Sequence, residues 1–129
     1  MKLITKTLEN RFKKIGFQGN ELGPIVVAKF FNPCGSGTWY ATEYDKERNI
    51  CFGYVTGLGF DEWGSFSIEE LESVKCPPLN LPIERDLYFS EKPISEARPE
   101  LKESIERRRE AREIEERKNQ NRDQYRERE

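Results

Sequence analysis

Three runs of β-branched and aromatic residues constrain most strongly what this chain can fold into. They cover residues 38–44, 50–55 and 83–89, and an apolar run at 25–31 precedes them. Runs of this composition, bounded by turn residues, are typical of β-strands. The polar segment 45–49 is short enough for a tight connection between the first two runs, which predicts a β-hairpin within a small, mostly antiparallel sheet.

The predicted hairpin has large side chains on both faces. Trp39 and Val55 fall on one face, and Tyr40 and Tyr54 fall on the other. Aromatic side chains on both faces predict a covering layer of protein on each side of the sheet, or a ligand on one side. The predicted cross-strand pairs are Tyr44 with Ile50, Thr42 with Phe52 and Tyr40 with Tyr54.

Short helices flank the predicted sheet. Apolar residues at i, i+4 and i+7 predict an amphipathic helix over about residues 5–15. Ser67 and Glu70 have the spacing of a capping box and predict the start of a second helix, which the Cys-Pro-Pro run at 76–78 ends. The predicted fold class is therefore α+β. The apolar residues of the first helix are Leu8, Phe12 and Ile15.

Charge is distributed unevenly along the chain. Residues 1–100 contain 12 Lys and Arg against 15 Asp and Glu, a formal charge of −3, whereas residues 101–129 contain 10 against 9, a formal charge of +1. Neither part has the strongly basic balance of a nucleic-acid-binding domain. A basic cluster at 107–109 is interleaved with glutamates nearby, which weakens its attraction for phosphate.

Apolar residues become scarce after about residue 95, and this predicts the domain organisation. We expect a compact α+β domain over 1–95 and a charged tail over 96–129. Acid-before-base pairs at i, i+4 favour a solvated helix from residue 99 to about 118, with the remainder, 119–129, frayed or partly disordered.

Arg85 occupies an unusual place in the predicted strand over 83–89. The alternation sets it beside Ile83 and Leu87 on the apolar side. A half-buried arginine needs a carboxylate partner, and Glu43 on the neighbouring hairpin is the candidate.

The chain contains no histidine and three cysteines. Histidine is the commonest general base and metal ligand, and no Cys-x-x-Cys pair is present, so neither a metal nor any other cofactor is predicted. The glycine loop 35–37 lacks the lysine and the spacing of a P-loop. Cys34, a candidate nucleophile, has no base to ionise it, so a non-enzymatic role is favoured over catalysis.

The same features predict the compartment. Three cysteines cannot all pair within one chain, and the N-terminal residues lack the apolar run of a signal peptide. No apolar stretch approaches the roughly 20 residues that cross a bilayer. We expect a cytoplasmic protein with reduced thiols and no membrane partner.

The residues do not define a biochemical activity, and a binding role is the prediction. The favoured partner is a protein that docks on an acidic sheet surface. The alternative is single-stranded nucleic acid stacked on aromatic residues of the central hairpin, namely Trp39, Tyr40, Tyr44 and Tyr54, although the formal charge of −3 over residues 1–100 argues against it. The candidate binding residues are Trp39, Tyr40, Glu43, Asp45, Glu84, Arg85 and Asp86.

Four motifs follow one another within the first 95 residues. They are WYATEYD at 39–45, CFGYVTGLG at 51–59, GSFSIEEL at 64–71 and LPIERDLYF at 81–89. In this order they resemble an uncharacterised bacterial family, a domain of unknown function carried on plasmids, phages and other mobile elements. The resemblance runs from Met1 to about Ile94 and leaves the charged tail outside. It implies a mobile element as the setting, with no established activity or catalytic residues.

Overall fold

The computed structural model describes residues 1–128 and confirms an α+β fold. The strands are β1 Ile25–Val26, β2 Ala28–Phe31, β3 Thr38–Asp45, β4 Ile50–Thr56, β5 Glu62–Ser67, β6 Glu84–Arg85 and β7 Lys92–Pro93. The helices are α1 Lys6–Ile15, α2 Ile68–Ser73, α3 Ile94–Ala97 and α4 Lys102–Arg128, with a 3-10 turn at Pro99–Leu101. The main sheet is antiparallel, in the order β5-β4-β3-β2-β6, and β1 pairs with β7 in a separate ribbon.

Helix α1 begins and ends where its sequence indicates. The Thr5 hydroxyl accepts a hydrogen bond from the Leu8 amide at 3.2 Å and caps the first turn. Gly16, at φ 73°, ends the helix in a conformation that favours glycine. Phe12 is buried, and Leu8 and Ile15 pack beside it against the sheet.

The apolar run 25–31 forms two strands rather than the single strand predicted. Val27 separates them, and its amide donates to the Ala41 carbonyl at 2.9 Å. Before this residue, β1 leaves the main sheet and pairs with β7. The amide of Ile94 donates to the Pro24 carbonyl at 2.8 Å beside the ribbon. The break in the strand therefore ties the C-terminal segment to the sheet.

The β3–β4 hairpin contains a β-bulge that the sequence did not predict. The predicted pair of Tyr40 with Tyr54 is confirmed, but the two pairs nearer the turn are wrong. Register shifts between Ala41 and Glu43, so that Thr42 is the extra residue of the bulge. Beyond it the structure pairs Glu43 with Phe52, Tyr44 with Cys51 and Asp45 with Ile50.

Strand β5 was not predicted, whereas the helix after it was. The Ser67 hydroxyl accepts from the Glu70 amide at 3.2 Å, which confirms Ser67 as the cap of α2. Ile68 and Leu71 are buried on the inner side of this helix. Before the cap, β5 completes the sheet on the outer side of β4.

The predicted strand over 83–89 pairs only at Glu84–Arg85. The Asp86 carboxylate accepts a hydrogen bond from the Tyr88 amide at 2.9 Å, and the Phe89 amide donates to the Asp86 carbonyl. This local turn satisfies backbone groups that would otherwise continue the ladder. The strand therefore stops, and Leu87 and Tyr88 are exposed.

Each face of the main sheet has its own apolar cluster. The Trp39 face packs against α1, α2 and the N-terminal residues, and the Tyr40 face packs against α3, the 3-10 turn and the start of α4. Two protein layers therefore cover the sheet, the first of the two arrangements that the aromatic pattern predicted. Buried members of the second cluster are Val26, Tyr40, Tyr54, Ile94 and Ile105.

The tail forms one long helix whose beginning packs on the sheet. Ile105 is 7% exposed within the Tyr40-face cluster, so the tail buries more than its composition suggested. Helix α4 continues through the predicted fraying at 119–128, and Glu129 lies outside the described residues. Within residues 1–128, no helix combines the length and the apolar character that a bilayer crossing requires.

Candidate functional site

A pocket of about 210 Å³ opens between the loop 16–24, the central strands and α4. We call it the Trp63 pocket. It combines two aromatic rings, two carboxylates, one amide and two guanidinium groups. The residues that carry these groups are Gln18, Glu21, Glu43, Phe52, Trp63, Arg108 and Arg112.

The bulge in β3 directs Glu43 into this pocket. Before the bulge, Trp39 lies on the α1 face and Tyr40 on the opposite face. Strict alternation would return residue 43 to the Trp39 face, within the core. The extra residue reverses the alternation, so that Tyr44 packs against Phe12 with ring centroids 5.8 Å apart and Glu43 lies on the pocket face.

Gln18 holds the loop against the bulge. Its side-chain nitrogen donates to the carbonyls of Thr42 and Ile25 at 2.8 and 2.9 Å, and its side-chain oxygen accepts from the Ile25 amide at 2.7 Å. The hydroxyl of Thr42 in turn donates to the Phe52 carbonyl at 3.1 Å. These polar groups satisfy one another, so they shape the pocket and leave recognition to Glu43 and the arginines.

Two stacked rings form one wall of the pocket. The rings of Phe52 and Trp63 are 6.1 Å apart between centroids with an interplanar angle of 16°. Trp63 also tilts against Tyr54 at 5.2 Å, which fixes its orientation from the core side. Phe52 is 39% exposed, so the stack presents aromatic surface to the pocket and to solvent.

The facing wall carries two arginines from α4. Arg108 and Arg112 are four residues apart, so both project from the same side of the helix. Arg112 donates to the Asn20 carbonyl at 2.9 Å, which anchors it at the rim. In the described part of the chain, no carboxylate lies within ion-pair distance of Arg108. Two like charges at this spacing repel unless an anion compensates them.

A second surface feature is an apolar groove along β5, on the Trp39 face. Two adjoining cavities of about 500 and 240 Å³ share Trp39, Leu58, Ser65 and Phe66 in their walls, and together they form what we call the β5 groove. Phe60, at one end, is 83% exposed. Two carboxylates, Glu62 and Glu70, also line the groove.

The structure separates the candidate binding residues that the sequence identified. Trp39 and Tyr40 are buried on opposite faces of the sheet, and Glu43 lines the Trp63 pocket. Asp45 is exposed at the hairpin turn, 3.8 Å from Arg48. The remaining three, Glu84, Arg85 and Asp86, lie at the β6 edge and are half-buried.

The four acidic candidates therefore do not share one patch. Glu84 is level with Thr38, since both pair with Phe31. Asp45 lies seven residues further along β3, a distance of about 23 Å at the usual rise per residue, and two strands away. Asp86 also has a cation beside it, because Lys29 Nζ is 3.6 Å from its carboxylate.

The predicted partner of Arg85 is wrong. Its guanidinium donates to the carbonyls of Lys2 and Leu3 at 3.0 and 3.1 Å and not to Glu43. The reason is topological, because β6 pairs with β2 and the hairpin lies beyond β2. Arg85 thus fastens the segment before α1, in which Leu3 is fully buried.

Several pocket residues were missed by the sequence analysis. Neither Gln18 nor Trp63 lies in a helix or strand that the sequence predicts. Arg108 was considered only as part of a basic cluster. The available signal was the four-residue spacing of Arg108 and Arg112, which sets both on one side of a helix.

One known family matches residues 3–115 of the chain, and its description is "protein of unknown function (DUF2958)". The chain belongs to this family. The DUF2958 match begins near the start of α1 and continues to the middle of α4, further than the resemblance to residue 94 indicated, and so includes both arginines of the Trp63 pocket. No curated protein and no solved structure matches the chain.

The described residues contain no group of three or more Asp, Glu, Cys or His side chains arranged to hold a metal ion. The thiols are also unpaired, with Cys34 exposed, Cys51 buried and Cys76 half-buried. The groups that line the Trp63 pocket can stack, form ion pairs and make hydrogen bonds.

Proposed function

We propose that this DUF2958 protein is a non-enzymatic protein-interaction module, an accessory of a bacterial mobile element. The observation that carries the proposal is the exposed β5 edge beside an apolar groove. Its partner is an extended protein segment that adds a strand to β5 and inserts apolar side chains into the β5 groove. Main-chain hydrogen bonds would supply affinity, and the groove would supply specificity.

The two edges of the main sheet differ in how they resist such pairing. Strand β5 has six residues, Glu62–Ser67, without lysine or proline. The opposite edge strand, β6, has only two residues, and Pro82 lies shortly before it. Short length, lysine and proline are common devices that protect an edge, so β6 is protected and β5 is open.

The groove defines the chemistry of the segment. Leu58 and Phe66 provide an apolar wall, the buried Trp39 forms the floor behind them, and Phe60 provides an exposed aromatic ring at the end of the groove. An exposed apolar surface of this kind is typical of a protein-binding site. Because Glu62 and Glu70 flank it, we expect apolar side chains alternating with lysine or arginine in the partner.

A displayed library of random peptides tests the proposal directly. We expect the chain to select extended apolar and basic peptides, and we expect those peptides to slow amide hydrogen exchange within Glu62–Ser67. Phe60→Asp should lower the affinity for the selected peptides by about tenfold or more, because it places a charge where an apolar contact forms. Binding would be measured by fluorescence anisotropy.

Tyr88→Asp is the matched control, since Tyr88 is an exposed aromatic residue near the β6 edge. This variant should bind the selected peptides as the parent chain does. Peptides that slow hydrogen exchange in β6 instead of β5, or that bind the Phe60→Asp variant as tightly as the parent chain, would contradict the proposal.

The alternative partner is single-stranded nucleic acid on the aromatic hairpin. Burial of Trp39 and Tyr40 leaves them little surface for a base. The stack of Phe52 and Trp63 is the specific observation in favour of this candidate, because both rings line an open pocket.

A further inference from the structure

We infer that the Trp63 pocket is a binding site for a single nucleotide, with the base against Phe52 and Trp63 and the phosphate on Arg108 and Arg112. The inference goes beyond the protein-binding role proposed above and uses a different surface. It starts from three kinds of group that line one pocket: an aromatic stack, the carboxylates of Glu43 and Glu21, and a pair of guanidiniums. Within the described residues, neither carboxylate forms an ion pair with Arg108 or Arg112.

The arginines determine the anionic end of the ligand. Arg108 and Arg112 project from one side of α4 at i, i+4, where their like charges repel. A phosphate between them would turn that repulsion into charge-assisted hydrogen bonds, which guanidinium groups make in bidentate geometry. The hydrogen bond of Arg112 to the Asn20 carbonyl already holds one guanidinium at the rim.

The aromatic wall and Glu43 determine the other end. Stacking on an aromatic ring contributes about 1–3 kcal/mol per base and accepts any base. A carboxylate only accepts hydrogen bonds, so Glu43 selects a ring system that carries N–H donors. Guanine offers two adjacent N–H donors on one edge, the best match to the two oxygens of one carboxylate.

The size of the pocket limits the ligand to one base. A volume of about 210 Å³ is below the roughly 300–1,000 Å³ of sites that enclose drug-sized ligands, so one ring system fits and its phosphate remains at the rim. Two arginines can neutralise one phosphate, while the formal charge of −3 over residues 1–100 offers no track for a longer backbone. The site therefore suits a free mononucleotide or the 5′-phosphorylated end of a strand.

Isothermal titration of the full chain with GMP tests the inference. We expect saturable binding with a dissociation constant at or below about 1 mM, and an affinity for guanosine, which lacks the phosphate, that is lower by about tenfold or more. Arg108→Gln should weaken the binding of GMP and leave the binding of guanosine unchanged. Glu43→Gln should weaken the binding of both ligands, because it replaces one acceptor oxygen by a donor.

A 5′-phosphorylated trinucleotide beginning with guanine distinguishes the two sources of the nucleotide. Tighter binding than GMP identifies a strand end, and equal binding identifies a free nucleotide.

The matched control is Arg117→Gln, an exposed arginine further along the same helix, which should leave GMP binding unchanged. Thermal melting of each variant would verify that the fold is intact. The inference is overturned if GMP fails to bind at millimolar concentration, if guanosine binds as tightly as GMP, or if Arg117→Gln reproduces the effect of Arg108→Gln. None of these results bears on peptide binding at β5, so the two proposals stand or fall separately.

Discussion

One buried amide connects the loop 16–24 to the centre of the sheet. Gln18 is 7% exposed and makes three hydrogen bonds to the backbone of Ile25 and Thr42. Replacing Gln18 by an apolar residue would leave these buried backbone groups without hydrogen-bond partners. Its place in the sequence, between Phe17 and Gly19, carries no periodic signal, so only the folded structure reveals its role.

Gln18→Leu should lower the free energy of unfolding by about 1–3 kcal/mol, the cost of leaving a buried polar group unpaired. Denaturant unfolding followed by circular dichroism would measure the change. Gln120→Leu, at an exposed position of α4, is the control and should shift stability by no more than about 0.5 kcal/mol. Equal effects of the two substitutions would show that the Gln18 bonds contribute nothing.

The surroundings of Cys34 and Cys51 disfavour ionisation of their thiols. Interaction with the neighbouring Cys76 side chain raises the pKa of the Cys34 thiol above its ordinary value, and burial raises the pKa of Cys51. A raised pKa keeps a thiol neutral and slows its alkylation, because the thiolate is the nucleophile.

Alkylation by iodoacetamide, followed by mass spectrometry across pH, should therefore show Cys34 reacting with a midpoint above the ordinary value of about 8.5. Cys76→Ala should move that midpoint down, since it removes the neighbouring thiol that raises the pKa of Cys34. Cys51 should stay unmodified until the protein unfolds. An unchanged Cys34 profile in the Cys76→Ala variant would contradict the assignment.

At the scale of elements, the β3–β4 hairpin is tightest opposite Gly53. A Cβ atom at this residue would lie 1.8 Å from the Tyr40 carbonyl oxygen, closer than any contact allows. Gly64 is paired with Gly53 across the next strand, yet a Cβ there meets nothing within 4 Å. Two facing glycines in one sheet thus have opposite tolerance for a side chain.

Gly53→Ala should lower the free energy of unfolding by about 1–3 kcal/mol or more, because the strands must separate to admit the methyl group. Gly64→Ala should be neutral or slightly stabilising, since it restricts the unfolded chain at no cost in contacts. Thermal and denaturant unfolding of the pair would measure the difference. Similar losses in both variants would indicate that β propensity, and not the close approach, governs this site.

Helix α4 divides into a packed beginning and an exposed remainder. Ile105 is 7% exposed on the Tyr40 face, whereas Ile114 is 51% exposed. Ile105→Ala should therefore lower the free energy of unfolding by about 2–5 kcal/mol, and Ile114→Ala by about 0.5 kcal/mol or less. The same substitution in the same helix isolates burial from helix propensity. Comparable losses would show that α4 contacts a further surface.

The elements with strong local signals were predicted correctly, and those set by distant contacts were not. Helix α1 and the cap at Ser67 depend on residues within one turn, so the sequence identifies them. The bulge residue Thr42 is hydrogen-bonded to Gln18, more than twenty residues away, and α4 packs on strands that lie much earlier in the chain. The Trp63 pocket also depends on contacts between distant parts of the chain, and Glu43 is the one candidate binding residue from the sequence that lines it.

At the scale of the whole molecule, the C-terminal segment is the second covering layer of the sheet. Ile94, Leu101 and Ile105 pack over Val26 and Tyr40. The boundary predicted near residue 95 from composition would remove most of this layer. Three apolar side chains at the right spacing are enough to cover a face of the sheet. They are too few to make the average composition of the tail apolar, so composition alone does not reveal them.

Shortening the chain after residue 115, where the DUF2958 match ends, should leave the unfolding midpoint nearly unchanged, because the α4 residues 116–126 are all exposed. Shortening it after Ser95 should lower stability by more than Ile105→Ala does, since Leu101 and Ile105 are lost together. Calorimetry would compare the two. A cooperative, undiminished transition for the chain ending at Ser95 would support the boundary predicted from composition and contradict a stabilising role for the layer beyond it.

The β3 bulge has a consequence for how this family can change over evolutionary time. One extra residue between Ala41 and Glu43 reverses the inside–outside order of every position that follows in the strand. In a relative that lacks this residue, the polarities of the next two positions must therefore be exchanged. An apolar residue would occupy the position of Glu43, and a polar residue would occupy the position of Tyr44. Deletion and substitution are coupled here. Any family member without the bulge should therefore show the opposite polarity at these two positions and lack a carboxylate in the Trp63 pocket at the position of Glu43.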